Sequence, residues 1–447
     1  MHVERFVIGI AILCAGGCVA RSQDSTEHSS GRASAGTLPA DSSSARVDGG
    51  AVATDASSST TPSPKHSTCV SVIDIRNGFG GSYVIPRAVN ERGQVVGSAP
   101  AAGDSSVHAF FWDDGSMVDL GTLGGSESHA LAMNDRGEAV GYAALKGGTV
   151  ATRATLWRNG EIVDLGELGG GFSIAGDINA AGQIVGNSLT TAKETHAFLW
   201  ENGVLQDLGT LGGNFSSATR INDRGQVLGH SSVPGEVDKH VFLWERGVMT
   251  DLGKGDPGEI NAQGNVLMGD SPNVYLWRDG ARTQIVPFGD AVATGYRDLN
   301  DVGQVIGRAQ RPGGREFAFF WNDGATTMIG PEDQQGYVTV LALNRSAQVV
   351  GFIGQHDQRA FSWKNGELTF LTPENAQSIA LAVNARGQIL GTSGGAAAHL
   401  WETHPCTGGG NGGDAGSGDG DAGTGADSGS GEEHGDTDAS TGGGNTW

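Results

Sequence analysis

One short pattern recurs eight times between residues 85 and 401, and a chain with such a period has few folds open to it. Each copy holds an Asn that opens a tight turn, and further on an aromatic strand that ends in Trp. The Asn residues are Asn90, Asn134, Asn179, Asn222, Asn261, Asn300, Asn344 and Asn384, spaced 39 to 45 residues apart. Their Trp partners are Trp112, Trp157, Trp200, Trp244, Trp277, Trp321, Trp363 and Trp401. A period of about 40 residues with strand-like segments inside it is the signature of a propeller array, in which no repeat can bury its apolar face alone.

Residues 129 to 166 show the strands of one copy. His129–Met133 is a strand rich in small residues. Asn134-Asp135-Arg136-Gly137 is a hairpin turn with Gly where positive φ is needed. Glu138–Tyr142 returns, Arg153–Trp157 is the third strand, and Glu161–Leu165 the fourth, after a second turn at Asn159-Gly160. That second turn recurs as Asp114-Gly115, Asn202-Gly203, Asp279-Gly280, Asp323-Gly324 and Asn365-Gly366. Four short antiparallel strands per copy make one blade. The small-residue strand before each Asn suits the crowded axis, so it is expected innermost.

The array is cut inside a blade. It starts with a lone fourth strand, Val72-Ile73-Asp74-Ile75, and ends with a lone third strand, His399-Leu400-Trp401. Open strand edges are a liability, so the two halves are expected to complete one blade. The expectation is an all-β, eight-bladed β-propeller of four antiparallel strands per blade, closed by the N-terminal strand and flanked by a disordered tether and tail. Closure would bring Cys69 and Cys406 together, and a disulfide there suits an oxidising compartment.

The flanks predict export. After Arg5, Val7–Ala15 is apolar but too short to span a bilayer. Ala15-Gly16-Gly17-Cys18 resembles a bacterial lipobox, with Cys18 as the lipidated residue; cleavage after Cys18-Val19-Ala20 is the rival reading. Four segments follow: a lipoprotein-type signal at 1–18, a Ser/Ala-rich flexible tether at 19–67, the propeller at 68–406, and an acidic Gly/Asp/Ser tail at 407–447. The tether and tail have too few apolar residues to offset the entropy of ordering them. The tail holds eight acids and neither Lys nor Arg, and lacks the residue order of an EF-hand loop. A formal charge of −22 argues against nucleic acid as a partner. The expected place is the outer membrane or cell surface, with the membrane touched only through the lipid; otherwise the protein is periplasmic or secreted.

His196-Ala197-Phe198-Leu199-Trp200, then Glu201-Asn202-Gly203 through Leu208-Gly209-Thr210-Leu211-Gly212-Gly213, then Ile221-Asn222-Asp223-Arg224-Gly225-Gln226-Val227-Leu228-Gly229, resemble the HAF-type extracellular repeat family. The resemblance covers roughly residues 70 to 403 and drifts in later copies: Asn273–Trp277 and Arg359–Trp363 lack the His, and Asn344-Arg345-Ser346-Ala347 lacks the turn Gly. It implies an exported bacterial repeat protein and carries no established activity.

No residue set announces catalysis. The Trp and Asn series are read as scaffold, because each recurs at one position in every copy. The acids Asp74, Asp119, Asp164, Asp207 and Asp251 are read as caps of the Gly-rich turns that follow them. His108, His196 and His240 lie one per blade, too dispersed for a shared metal; neither metal nor cofactor is expected. The loops joining second to third strands, at 98–107, 142–152, 187–195, 230–239, 308–316 and 352–358, differ most between copies. Divergent loops on a regular scaffold commonly carry binding. The candidates there are Lys146, Lys193, His230, Glu236, Lys239, Arg311, Arg315, His356 and Asp357. The leading reading is a non-enzymatic, surface-displayed module that binds a protein or polymer through these loops. A lectin-like module for extracellular or cell-surface polysaccharide, and a hydrolase with an axial site, are the alternatives.

Overall fold

A computed structural model describes residues 68–147, 152–287, 289–314, 316–330 and 337–406. The signal, tether and tail, with Cys18, lie outside the described residues, as does Arg315.

The described residues hold 32 β-strands and no α-helix, only one 3₁₀ turn at Ala102–Asp104. The strands fall into four-stranded antiparallel groups in chain order, numbered here as units 1 to 8 by their Asn. Unit 3 is typical: Gly169–Ile178, Ile184–Thr190, Thr195–Glu201 and Val204–Asp207, each paired with the next. Units 1 and 2 are joined further by a parallel bridge, Val107↔Glu127. This is an all-β architecture of the β-propeller class.

The third strands explain why the sheets stack. Ala197-Phe198-Leu199-Trp200 is buried at all four positions, although successive side chains point to opposite faces. Phe198 and Trp200 pack with Val140, Ala154 and Leu156 of unit 2. Ala197 and Leu199 pack with Ala218, Val227, Phe242 and Trp244 of unit 4. One strand thus feeds two cores, and every second residue belongs to a different one. The Trp series is packing between neighbouring units, and none of the eight is an exposed platform. Gly229 marks how tight this packing is: a Cβ there would sit 2.1 Å from the Ser217 carbonyl oxygen and 2.5 Å from the Phe242 ring.

The strand Thr68–Ile75 does not extend unit 1. It pairs antiparallel with Ala397–Pro405, with Val72 opposite Trp401, and so supplies the fourth strand of unit 8. Across this seam, Ile75, Leu390, Ala398 and Leu400 share a core with Val84, Val95, Phe110 and Trp112 of unit 1. Cys69 and Cys406 are disulfide-bonded, their Cα atoms 5.0 Å apart.

Candidate functional site

The turn end of the sheets is uniform. Each repeat Asn is buried. Asn222 shows the local reason for its identity: its Oδ1 accepts the N–H groups of Arg224 and Gln226, which closes the turn. Gly225, at φ +75°, completes the turn; in unit 7 Ala347 takes the same positive φ. The amide nitrogen does something the sequence did not suggest. Asn222 Nδ2 donates to the backbone carbonyl of Asn261, the next repeat Asn, at 3.0 Å. The same bond links Asn90 to Asn134, Asn134 to Asn179, and so on through Asn344 to Asn384. Asn384 then donates to Asn90 at 2.9 Å. A second fastening joins the sheets further out: Ser128, Ser173 and Ser216 accept from the N–H of Ala109, Ala154 and Ala197 of the preceding unit.

The first strands carry a second surprise. All eight bulge just before the Asn, and a bulge re-aims side chains. Two residues before the Asn, units 1, 2, 7 and 8 have Ala88, Ala132, Ala342 and Ala382, whereas units 3 to 6 have Asp177, Arg220, Glu259 and Asp298. Acids of several units therefore converge along the first strands, as an axial hydrolase requires. Their bonds are structural. Arg220 holds Glu259 through two bonds of 2.7 and 2.6 Å. Asp177 accepts from Ile178 and Ile221 N–H, and Asp298 from Leu299 and Leu343 N–H, so each ties its unit to the next. Burial pushes Asp177 up to about 6, against the pull of Arg220. Burial and the nearby Glu259 push Asp298 up to about 7. Arg220 is held charged by Glu259. The side chains of Arg220 and Glu259 keep only 28% and 21% of their surface exposed, so protein covers most of this ion pair.

The loop end is individual. The strands run further than the sequence suggested, which shortens the connections to 101–106, 146–151, 191–194, 233–238, 311–315 and 354–358. His230 and Lys239 are therefore strand residues, a correction that follows from continued pairing: His230 opposes Ser217 and Val241, and Lys239 opposes Ser232. His230 is buried against Phe215, ring centroids 5.4 Å apart. Lys239 Nζ lies 3.9 Å above the same Phe215 ring. Burial, helped by the Lys239 charge, pushes His230 down to about 4, so it is neutral at pH 7. Glu236 accepts from His240 Nε2 at 3.0 Å, and Asp251 takes Nδ1 at 2.9 Å. These carboxylates raise the pKa of His240, the Asp251 hydrogen bond most of all. Val237 between them is fully exposed.

The other candidates stand apart. Lys193 Nζ bonds the Gly170 carbonyl within unit 3. Lys146 is exposed in unit 2, and Arg311 lies 5.8 Å from the Phe317 ring in unit 6. His356 and Asp357 are exposed in unit 7, and the His356 carbonyl accepts from Gln377. Among the described residues, unit 4 carries three of the sequence candidates, His230, Glu236 and Lys239, around one connection. Asp119, Asp164, Asp207 and Asp251 accept from the N–H of Gly121, Gly166, Gly209 and Gly253, the turn-capping bonds expected of them. The sequence reading missed that Asp119, Asp207 and Asp251 also hold His108, His196 and His240.

A cleft of about 290 Å³ lies between units 1 and 2, with Phe111, Trp157, Asp113, Arg136 and Glu138 in its lining. Among the described residues no group of His, Cys, Asp and Glu is arranged to hold a metal ion. No helix there is long and apolar enough to cross a membrane.

No family model matches the chain, and no curated protein matches it. Similar solved structures include the β-propeller domain of the Trilobed protease from Pyrococcus furiosus, at 13% identity and TM-score 0.40, over 66% of this chain and 99% of that one. Dipeptidyl peptidase 4 from Porphyromonas gingivalis is similar at 9% identity and TM-score 0.44, over 68% of this chain and 56% of that one. Virginiamycin B lyase from Staphylococcus aureus is similar at 9% identity and TM-score 0.36, over 75% of this chain and 99% of that one.

Proposed function

We propose that the chain is an exported binding module, a closed eight-bladed propeller that presents the loop end of its fourth blade to a protein or polysaccharide outside the cytoplasm. The pairing of Thr68–Ile75 with Ala397–Pro405 and the bond from Asn384 to Asn90 support closure. The lipobox-like Cys18 and the likeness to HAF-type repeats support export and anchoring.

The observation that carries the reading is the cluster in unit 4. Phe215, His230 and Lys239 stack on one face of the sheet, and Glu236, His240 and Asp251 form a charged group on the other face. The exposed Val237 and the ion pair of Lys254 with Asp238, 2.6 Å, complete the surface. Such a mixture of aromatic, cationic and acidic groups, held rigid by a β scaffold, is how adaptable loops acquire specificity. The cleft between units 1 and 2 favours a second reading, a saccharide bound among its acids and arginines.

The test replaces 233–238 by the short Gly394-Gly395-Ala396 turn of unit 8 and compares both proteins on a glycan array and in a cell-surface pull-down. The expected outcome is a ligand captured by the native protein and lost from the replacement, with unchanged circular dichroism. A ligand retained by the replacement moves the site away from unit 4. If that ligand is a glycan and Glu138→Gln abolishes it, the cleft reading stands instead.

A further inference from the structure

Unit 8 breaks the repeat at one strand position. Two residues before the Trp, the other units carry Phe110, Thr155, Phe198, Phe242, Tyr275, Phe319 and Phe361, and most of these are wholly buried. Unit 8 carries His399. The residue opposite it in register, Asp74, is the ordinary repeat acid: Asp119, Asp207 and Asp251 oppose Phe110, Phe198 and Phe242 in the same way. In those units the acid reaches diagonally to a His four residues before the Trp. Unit 8 has Ala397 there, and Asp74 holds His399 instead.

A third residue completes the set. Ser393 stands two residues after Gly391, where units 1, 2 and 6 have Ala99, Ala143 and Ala309. Units 3 and 4 have Ser188 and Ser231 there, but those hydroxyls bond backbone: Ser188 accepts from Leu168 N–H and donates to the Phe172 carbonyl, and Ser231 does the same with Leu211 and Phe215. Ser393 Oγ lies 2.5 Å from His399 Nε2, and His399 Nδ1 lies 3.0 Å from Asp74 Oδ1. A carboxylate on Nδ1 fixes the tautomer that leaves Nε2 free to accept the hydroxyl proton. The turn after Ser393, Gly394 to Ala396, is exposed, so the hydroxyl sits beside solvent.

We propose that Ser393, His399 and Asp74 form a serine nucleophile site that cleaves an accessible acyl ester. Ser393 Oγ attacks the ester carbonyl carbon as its proton passes to His399 Nε2. The tetrahedral adduct collapses, the bond to the alcohol oxygen breaks, and the alcohol leaves with the proton from Nε2. Water then adds to the acyl-serine by the same route, which releases the carboxylic acid and restores Ser393. Asp74 orients the imidazole through its bond to Nδ1. Gly394 N–H is committed to the Gln377 carbonyl at 2.7 Å, so we assign the oxyanion to the N–H groups of the exposed Gly395 and Ala396. An open turn in place of a deep pocket suits an ester at the periphery of a larger molecule. The three residues come from three strands, and Asp74 arrives only when Thr68–Ile75 is docked on unit 8.

The experiment treats the full-length protein with diisopropyl fluorophosphate, locates the adduct by peptide mass spectrometry, and follows p-nitrophenyl acetate hydrolysis in parallel. The expected result is a single phosphorylated residue, Ser393, with the labelling rate reduced about 10²-fold or more in His399→Gln and in Asp74→Asn. Ser393→Ala should abolish label and turnover together. It installs the residue that units 1, 2 and 6 already carry, so its melting temperature should match the native protein. An unlabelled native protein, a label elsewhere, or turnover that survives Ser393→Ala overturns the proposal. A Ser–His–Asp set that only fixed the seam would change the melting temperature on substitution and leave the native serine inert.

Discussion

At one end of the sheets the same asparagine makes the same bond in every unit; at the other end the connections run from two residues in unit 5 to six in units 1, 2 and 4. The turn end is where neighbouring sheets crowd, and each buried amide there has its partners within the scaffold. Any change leaves polar atoms without water or partner. The loop end has solvent on one side, so a changed residue loses little. Identity is therefore enforced at one end and free at the other, and the binding proposed above uses the end where identity is free.

The sharpest way to break this contrast is Asn222→Ala. It removes the acceptor of the Gln226 N–H and the donor to the Asn261 carbonyl, both buried, and the acceptor of the partly buried Arg224 N–H. The expected loss is about 2–4 kcal/mol in urea unfolding; a loss below about 0.5 kcal/mol would mean that the belt is ornamental. A smaller effect separates the belt from the charged residues of the first strands. The belt is uncharged and contributes equally at every pH. Asp177 and Asp298 have folded pKa values raised above the ordinary 3.8. The folded state therefore binds more protons than the unfolded chain, and this part of the stability falls as pH rises from about 4 to about 7. Asp298→Ala, the residue type of units 1, 2, 7 and 8, should flatten that slope by on the order of 1–3 kcal/mol across the window. An unchanged slope would show that Asp298 titrates normally. Smallest of all, Lys239→Ala should cost about 0.5–1 kcal/mol, the worth of its stacking on Phe215, while removing much of any ligand affinity. A loss as large as that of Asn222→Ala would erase the difference between the two ends.

Much of the scaffold was legible because its signals are local. Asn134-Asp135-Arg136-Gly137 announces a hairpin from four adjacent residues, and Arg153–Trp157 announces a strand by alternation. The lone strand Val72–Ile75 could be matched to His399–Trp401 because each lacked what the other supplied. What stayed hidden depends on neighbours far away in sequence. Nothing in one turn tells an Asn side chain that the next repeat's carbonyl lies within reach. Asp177, Arg220, Glu259 and Asp298 look like scattered surface charges until the bulges bring them to adjoining positions. His230 read as a loop residue because it opens the divergent 230–239 stretch, yet the ladder continues to Ser232. Ser393 and His399 were overlooked for a related reason: their meaning lies in departing from seven other units, and it shows only once the register says which residues correspond.

The bond from Asn384 back to Asn90 spans 294 residues of chain but is otherwise the same as its seven fellows. In the closed propeller proposed above, such a belt has no first member. The order in which the units follow one another along the polypeptide is a matter of bookkeeping, since each sees only the sheet before and the sheet after. A circular permutant opened in the 311–315 connection and spliced across the 5.0 Å between Cys69 and Cys406 would present every asparagine with the partner it has now.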